Sequence, residues 1–288
     1  CKKVRNELSK LNYDYEHIVI DNNSTDNTVS ILRNICKNDK NVKVIVNNKN
    51  YGHITSPYYG MLQSSGDATI LINADFQDPV ELIPELIKKW EENKKVILLQ
   101  KKTSEENIII RTIRKIYYRV LTRISENNIT VDTTGSGLYD KSVIDTLRSI
   151  KDPMPYLRGL VSEIEGNIDL LGFNQPKRKF GFTKNNFFTL VDIAMIGFVK
   201  HSKLPLRLMI IFGAIISLIS IFISFIFLFY KLFFWDSFDL GVAPIVIGFF
   251  FISAVQILLL GILGEYISVT LTHTRSLPLV IEKERINF

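Results

Sequence analysis

Two clusters of acidic and amide side chains have the residue types that could bind a metal ion and a nucleotide. The first, DNNSTD, begins at Asp21, and the second, NADFQDP, contains Asn73, Asp75 and Gln77. Carboxylate and amide oxygens are the ligands that Mg²⁺ or Mn²⁺ prefers, and such an ion could bridge to a diphosphate. On an extended segment Asp75 and Gln77 point to the same side, which favours one shared metal ion. Asp21 could accept hydrogen bonds from a base or a ribose.

The apolar periodicity around these clusters predicts alternating strands and helices. We expect strands at residues 15–21, 42–47 and 67–75, and helices at residues 28–38, 56–66 and 79–93. This alternation predicts an α/β fold with a mostly parallel sheet and a ligand site at the carboxyl ends of its strands. Both clusters follow strands, so we place them at that edge. Asp26 and Asp78 each precede a helix and are interpreted as N-caps.

A basic stretch near the middle of the chain predicts an amphipathic helix over residues 108–125. Its cations share one side, with isoleucines opposite: Arg111, Lys115, Arg119 and Arg123 form an i,i+4 stripe, and Arg114 flanks it. No acidic residue interrupts them, although a solvated helix usually mixes both signs. We expect this face to bind anionic lipid headgroups or the phosphate of a lipid acceptor. An ordinary solvated helix is the alternative.

Charge is concentrated in the first 203 residues. The formal net charge is +6, and residues 204–288 contain five basic and five acidic residues, so the whole excess precedes them. A basic globular part predicts a polyanionic partner. Further candidates for binding a diphosphate or an acceptor phosphate are Arg158 and the cluster Lys177, Arg178, Lys179 and Lys184. A contact with lipid headgroups is the alternative for each of them.

Two uncharged apolar stretches, residues 208–230 and 240–264, are long enough to cross a bilayer as helices. Two buried helices of a soluble core are the alternative, but such helices usually have a polar face. Basic residues precede the first stretch and follow the second, which predicts that both chain ends and the globular part are cytosolic. We therefore expect a multi-pass protein of the cytoplasmic membrane that does not bind nucleic acid.

The composition excludes several classes of protein. Hydrophobic residues make up 47% of the 288 residues and charged residues 22%, which excludes an intrinsically disordered chain. Only two cysteines, Cys1 and Cys36, are present, so the chain has no disulfide framework and no cysteine cluster for zinc.

The motifs together resemble a known enzyme family. They are DNNSTDNT, NNKNYGH, SSGDATILINADFQDPVELIPELIKKWEE, GSGLYDKSVID, YLRGL, QPKRKFGFTKNNF, HSKLPLRL and LLLGILGEYI. In this order they resemble the family 2 glycosyltransferases of GT-A fold. More closely, they are similar to the polyprenyl-phosphate hexosyltransferases, the group of dolichol-phosphate mannose synthase and bactoprenol glucosyltransferase. The implied domains are a GT-A domain at residues 1–186, an interfacial helix at 187–204, two transmembrane helices at 205–270 and a cytosolic tail at 271–288.

The resemblance implies roles for individual residues. Asp75 matches the metal-binding acid of the family's D-x-D motif and Gln77 the glutamine that follows it. The nucleotide-sugar site would include Asp21, Asn23, Gly52, His53 and Asn73. Two departures are visible: Asn73 replaces the first acid of D-x-D, and Asn22 and Asn23 stand where Asp-Gly is common. The family's first strand would precede residue 1, so we interpret the chain as starting after it.

The resemblance also implies the reaction. A hexose would pass, with inversion, from a UDP- or GDP-linked sugar to undecaprenyl or dolichyl phosphate at the cytosolic membrane face, for cell-surface glycan or glycolipid synthesis. Mg²⁺ or Mn²⁺ would assist, and the protein would self-associate. Arg178 and Lys184 match a basic segment of the family. Asp132 precedes the GSGLYD turn and is the candidate general base, with a turn or capping role as the alternative.

Two other functions stay open. A processive glycan synthase usually has more membrane spans and a Q-x-x-R-W segment, which this sequence lacks. A catalytically degenerate membrane partner of a glycan-assembly system would explain Asn73 in place of the acid.

Overall fold

A computed structural model of the protein describes residues 1–103, 133–176, 204–234, 242–274 and 277–288. Its helices are α1 (Lys2–Leu8), α2 (Thr28–Asn38), α3 (Gly52–Leu62), α4 (Ile83–Glu91), α5 (Lys141–Ser149), α6 (Leu157–Ile164), α7 (Leu204–Phe233) and α8 (Val242–Thr274). A short 3₁₀ helix, Val80–Leu82, precedes α4. Its strands are β1 (His17–Asp21), β2 (Val42–Asn47), β3 (Ala68–Leu71), β4 (Val96–Thr103), β5 (Thr133–Asp140), β6 (Ile168–Asn174) and β7 (Glu282–Ile286).

The strands form two mixed sheets. The first has the order β1-β2-β7 and the second β3-β5-β4-β6. β1 is parallel to β2 and β4 is parallel to β6, whereas β7, and β5 with both of its neighbours, run antiparallel. The prediction of a mostly parallel sheet is therefore wrong. The strand–helix alternation that suggested it covers β1 to β4, while β5 and β7 enter the sheets from later parts of the chain.

β7 lies in the segment that the sequence analysis interpreted as a cytosolic tail. Its residues pair with the middle of β2, with Ile45 opposite Arg285 and Val46 opposite Glu284. The sequence EKERI has no apolar run and so gives little signal for a strand. Pairing with β2 forms the strand, and the side chain of Asn287 then donates to the carbonyl oxygens of Cys36 and Val42.

The core lies on both faces of the second sheet. β4 is a central strand, and its residues 96–99 are buried on alternating sides. Val96 and Leu98 pack with residues of α3, α5 and α6, whereas Ile97 and Leu99 pack against α4. Gly137 of β5 is required at this contact, because a Cβ atom there would lie 2.1 Å from the carbonyl oxygen of Ile97. The core therefore fixes the position of β5, which borders the candidate site.

The two C-terminal helices are long, apolar and in contact with each other. Within the described part of the chain, one segment, Phe251–Thr272 of α8, is long and apolar enough to cross a membrane. Its mean hydropathy is 1.8, and none of its residues is buried against the rest of the protein. The first expected span falls in α7, where Ile210, Phe222 and Phe233 are exposed apolar residues.

Candidate active site

A cavity of about 700 Å³ separates the two sheets. Residues of β1 and all four residues of β3 line its walls, and these two strands are the edge strands of their sheets. Asn22, which follows β1, lines one part of the cavity together with Gly52, His53 and Asn73, and we call this part the mouth. Three of these four were predicted to bind the nucleotide sugar.

Asp21, the last residue of β1, is 3% exposed, and its carboxylate accepts a hydrogen bond from the backbone N–H of Ser24 at 3.0 Å. This contact shapes the turn after the strand. Asn23 in that turn has φ +64°, a conformation that asparagine adopts more readily than most residues other than glycine. Asn23 thus adopts a left-handed conformation that glycine would also allow.

Asn22 joins the turn after β1 to the loop after β2. Its Oδ1 accepts from Asn47 Nδ2 at 3.0 Å and from the Tyr51 N–H at 2.9 Å. Its Nδ2 donates to Asn50 Oδ1 at 2.7 Å and to the Gly52 carbonyl oxygen at 3.1 Å. All the hydrogen-bonding groups of one amide therefore hold the loop that carries two predicted nucleotide-sugar ligands, Gly52 and His53.

Gly52 has φ +81°, which other residues adopt only with strain, and a Cβ atom there would meet no atom within 4 Å. The glycine thus serves the turn of the backbone and not a close packing contact. Partial burial lowers the pKa of the neighbouring His53 and so favours its neutral imidazole, which can both donate and accept.

The loop after β3 is organised by a buried carboxylate. Asp78 is 2% exposed, and its Oδ2 accepts from Asn73 N at 3.1 Å, Asn73 Nδ2 at 2.8 Å and Ser136 Oγ at 2.6 Å. Since a carboxylate only accepts, the Asn73 amide nitrogen must face Asp78, and the Asn73 carbonyl oxygen is oriented away from it. An aspartate at position 73 would place a second negative charge against Asp78.

These contacts correct two predictions. Asp78 is not an N-cap: the 3₁₀ helix follows Pro79, and no side chain caps it. β3 ends at Leu71 and not at Asp75, because Asn73 bonds to Asp78 and the chain turns. Phe76 in this turn has φ +61°, a strained value for a bulky residue, so Asp75 and Gln77 are not carried by an extended segment.

Arg158, near the start of α6, lies beside the first residue of β5. Its Nη1 donates to the carbonyl oxygen of Thr133 at 2.8 Å, and its guanidinium lies 5.3 Å from the ring centre of Tyr156. Thr133 is the first residue of β5, and Ser136, three residues later, contacts Asn73 at 3.1 Å. The first four residues of β5 thus connect Arg158, which bonds to Thr133, with the loop of Asn73, which bonds to Ser136.

Comparison with known proteins identifies the family. The sequence profile described as "Glycosyl transferase family 2" matches residues 2–148. The chain belongs to glycosyl transferase family 2. It is 30% identical over 281 residues to "Uncharacterized glycosyltransferase YkcC" of Bacillus subtilis (strain 168), covering 97% of this chain and 87% of the relative.

Two further similarities concern a phage enzyme and a solved structure. "Bactoprenol glucosyl transferase" of Shigella phage SfX is 26% identical over 285 residues, which are 99% of this chain and 93% of the relative. The crystal structure of S. aureus TarS 1-349 is similar with a TM-score of 0.41 and 14% identity, over 70% of this chain and 62% of that one. The resemblance stated from the motifs is confirmed at the level of the family.

The donor atoms of this family 2 chain suit a hard divalent cation. Gln77 offers an amide oxygen, and Asp75 offers a carboxylate whose Oδ1 accepts from the Gln77 N–H at 3.1 Å. This contact keeps the two residues in one tight turn. Within the described ranges no three His, Cys, Asp or Glu residues cluster.

Several predicted residues lie outside the described ranges. They are the candidate base Asp132, the basic residues Arg111, Arg114, Arg119 and Arg123, and the pair Arg178 and Lys184. The expected interfacial helix at 187–204 lies almost wholly outside them too. Sequence reasoning in turn missed Asn22 and Asp78 as organisers of the two loops. The signal available for Asn22 was its place between two other polar residues at a strand end.

Proposed function

We propose that this family 2 glycosyltransferase transfers a hexose from a nucleoside diphosphate sugar to a polyprenyl phosphate. The observation that carries the proposal is the cavity mouth, where Gly52, His53 and Asn73 meet beside the loop of Asp75 and Gln77. Relatives named bactoprenol glucosyl transferase, which align with 98–99% of this chain, support the choice of acceptor.

The donor would bind through the two loops at the mouth. The loop held by Asn22 carries Gly52 and His53, which line the cavity, and Asn73 presents its carbonyl oxygen. Asp21 and Asn23 are proposed to bind the nucleoside beside them. Arg158 is proposed to bind the diphosphate, since a guanidinium forms bidentate hydrogen bonds with phosphate oxygens.

Asp75 and Gln77 are proposed to hold Mg²⁺ or Mn²⁺ against the donor diphosphate. A bound divalent cation would neutralise the charge that develops on the leaving diphosphate. Breaking the bond between sugar C1 and its oxygen leaves the electron pair on the diphosphate, while a phosphate oxygen of the acceptor attacks C1 from the opposite side. The configuration at C1 is thereby inverted.

The acceptor reduces the need for a base. A phosphate monoester with a second pKa near 6 is largely dianionic at pH 7, so its oxygen needs no strong base to attack. Asp132 is therefore proposed as an auxiliary group. The basic residues of the two predicted phosphate-binding segments are proposed to guide the lipid phosphate to the mouth. They are Arg111, Arg114, Arg119, Arg123, Arg178 and Lys184.

Both α7 and α8 are proposed to cross the membrane. The chain leaves the globular part after β6 and re-enters it at β7, which pairs with β2. A chain that starts and ends on one side must cross an even number of times. α7 and α8 have 30 and 33 residues, about 45–50 Å, which exceeds the ~30 Å hydrocarbon core. Because basic residues flank the two helices, we propose that the globular part lies in the cytosol.

The test is a transfer assay on membranes that contain the full chain. Labelled UDP- and GDP-sugars are supplied one at a time with Mg²⁺ or Mn²⁺ and polyprenyl phosphate, and the lipid is extracted. We expect label in the organic phase for one donor. No label with any donor, while a nucleoside diphosphate still binds, would instead support a degenerate membrane partner.

A further inference from the structure

The C-terminal strand reaches the loop at the cavity mouth. Beyond the last ladder pair, Asn47 with Glu282, the backbone N–H of Asn48 donates to the Ile281 carbonyl oxygen at 3.1 Å. The Ile281 N–H donates to Tyr51 Oη at 3.0 Å. The backbone N–H and carbonyl groups of Ile281, which follows α8, therefore both bond to the loop that follows β2.

Tyr51 connects this strand to the Asn22 network. Its hydroxyl accepts from Ile281 and donates to Asn48 Oδ1 at 2.8 Å, which closes a ring of three residues. Its backbone N–H donates to Asn22 Oδ1, and the next residue, Gly52, begins α3 with its positive φ. The side chain of Tyr51 thus faces the C-terminal strand while its backbone faces the candidate site.

We propose that Tyr51 is a positioning residue that couples the strand after the apolar helices to the donor-binding loop. In this arrangement, the pairing of residues 281–286 with the globular part sets the conformation of residues 48–53. The proposal rests on the proposed function, because it assigns the loop to donor binding. It predicts that the last segment of the chain contributes to donor affinity although it does not line the cavity.

The charge pairs of β7 explain why the strand can act as a firm support. Arg285 donates to Glu282 and to Oε1 of Gln63, the residue that follows α3, at 2.6 Å in each case. Glu282 also accepts from Tyr59 Oη at 2.7 Å, and Glu284 pairs with Arg33 of α2. The strand is thereby held to two helices independently of Tyr51, so removing the Tyr51 hydroxyl should release the loop and leave the strand in place.

The experiment compares two matched variants of the full chain in detergent or nanodiscs. Tyr51→Phe removes a hydroxyl that bonds β7 to the loop, and Tyr59→Phe removes a hydroxyl that bonds β7 to α3. We expect Tyr51→Phe to raise the donor KM and the Kd for the nucleoside diphosphate about 3- to 10-fold with little change in kcat, since it removes two hydrogen bonds. Tyr59→Phe should leave both constants within about twofold.

A second variant tests the same bond from its other side. Ile281→Pro removes the N–H that donates to Tyr51, and the double variant with Tyr51→Phe should be no weaker in nucleotide binding than either single variant. Unchanged binding in Tyr51→Phe, or an equal loss in Tyr59→Phe, would overturn the proposal. If the wild-type chain bound no nucleoside diphosphate at all, the proposed function would fail first, and the two failures are therefore distinguishable.

Discussion

The two loops at the cavity mouth are held by different means. The loop after β2 depends on neutral amides, with Asn22 at the centre and hydrogen bonds that are partly exposed. The loop after β3 depends on one buried charge, Asp78, which accepts three hydrogen bonds through a single oxygen. A network of amides can lose one bond and keep its shape, whereas a loop built on one buried carboxylate loses all its contacts together.

The largest effect is expected from Asp78→Ala. This change leaves the backbone and side-chain donors of Asn73 without their acceptor and should cost about 3 kcal/mol of stability. It should also abolish measurable donor binding, because Asn73 loses its orientation. Thermal unfolding and nucleotide titration of the full chain measure the two effects. Asp26→Ala, which removes an exposed carboxylate that bonds the Thr28 N–H, is the control and should leave binding unchanged.

The next effect concerns pH and the strand that forms one wall of the cavity. Burial lowers the pKa of His17 on β1 to about 4. The folded protein therefore binds fewer protons than the unfolded chain between pH 6.5 and 4, and stability should fall by about 2–3 kcal/mol as the pH falls through this window. Melting temperatures from pH 7 to 4 should show this loss, and His17→Gln should reduce it. An identical pH profile in the variant would contradict the assignment.

A smaller effect is expected when the amide network is broken. Asn22→Ala removes the acceptor of the Tyr51 N–H and the donor to Gly52, and it should weaken the loop by about 2 kcal/mol. The donor KM should rise while the fold remains intact. Asn38→Ala is the matched control, because it removes an exposed amide that donates to the Asn34 carbonyl oxygen in α2, away from the cavity. A KM in Asn22→Ala equal to that of the control would show that the loop keeps its shape without the network.

The smallest effect is expected at Gly52. Alanine there meets no steric obstacle but must adopt φ +81°, so Gly52→Ala should cost about 1 kcal/mol, confined to the loop. Gly166→Ala, at a glycine that is equally open and lacks a positive φ, should be neutral. Donor affinity of the two variants is the measurement, and equal affinities would mean that the start of α3 does not shape the site.

Local patterns predicted the parts of the fold that depend on local chemistry. α2 and β2 have the bounds expected from their periodicity, because each carries a regular apolar repeat that packs in one cluster. α3 begins at Gly52, four residues before the expected start, with Pro57 inside the helix. The Asn22 network and the positive φ of Gly52 start this helix, and neither is visible as a repeat.

Contacts between distant residues account for what the sequence could not predict. β7 becomes a strand because β2 pairs with it, and Asp78 faces Asn73 and Ser136 because the start of β5 lies beside the end of β3. A capping role was a reasonable expectation for an aspartate before proline. Asp26 is not an N-cap either, because Asn27 occupies that position in α2 without a side-chain capping bond; the Asp26 carboxylate accepts from the Thr28 N–H from one residue further out.

The most direct measurement of the central claim is the transfer assay applied to Asp75→Ala. Asp145→Ala, at an exposed residue of α5 that does not line the cavity, serves as the control, and membrane insertion of each variant is verified. We expect the wild-type chain and the control to deliver labelled hexose to the polyprenyl phosphate and Asp75→Ala to deliver none. Transfer by Asp75→Ala at the wild-type rate would contradict the account.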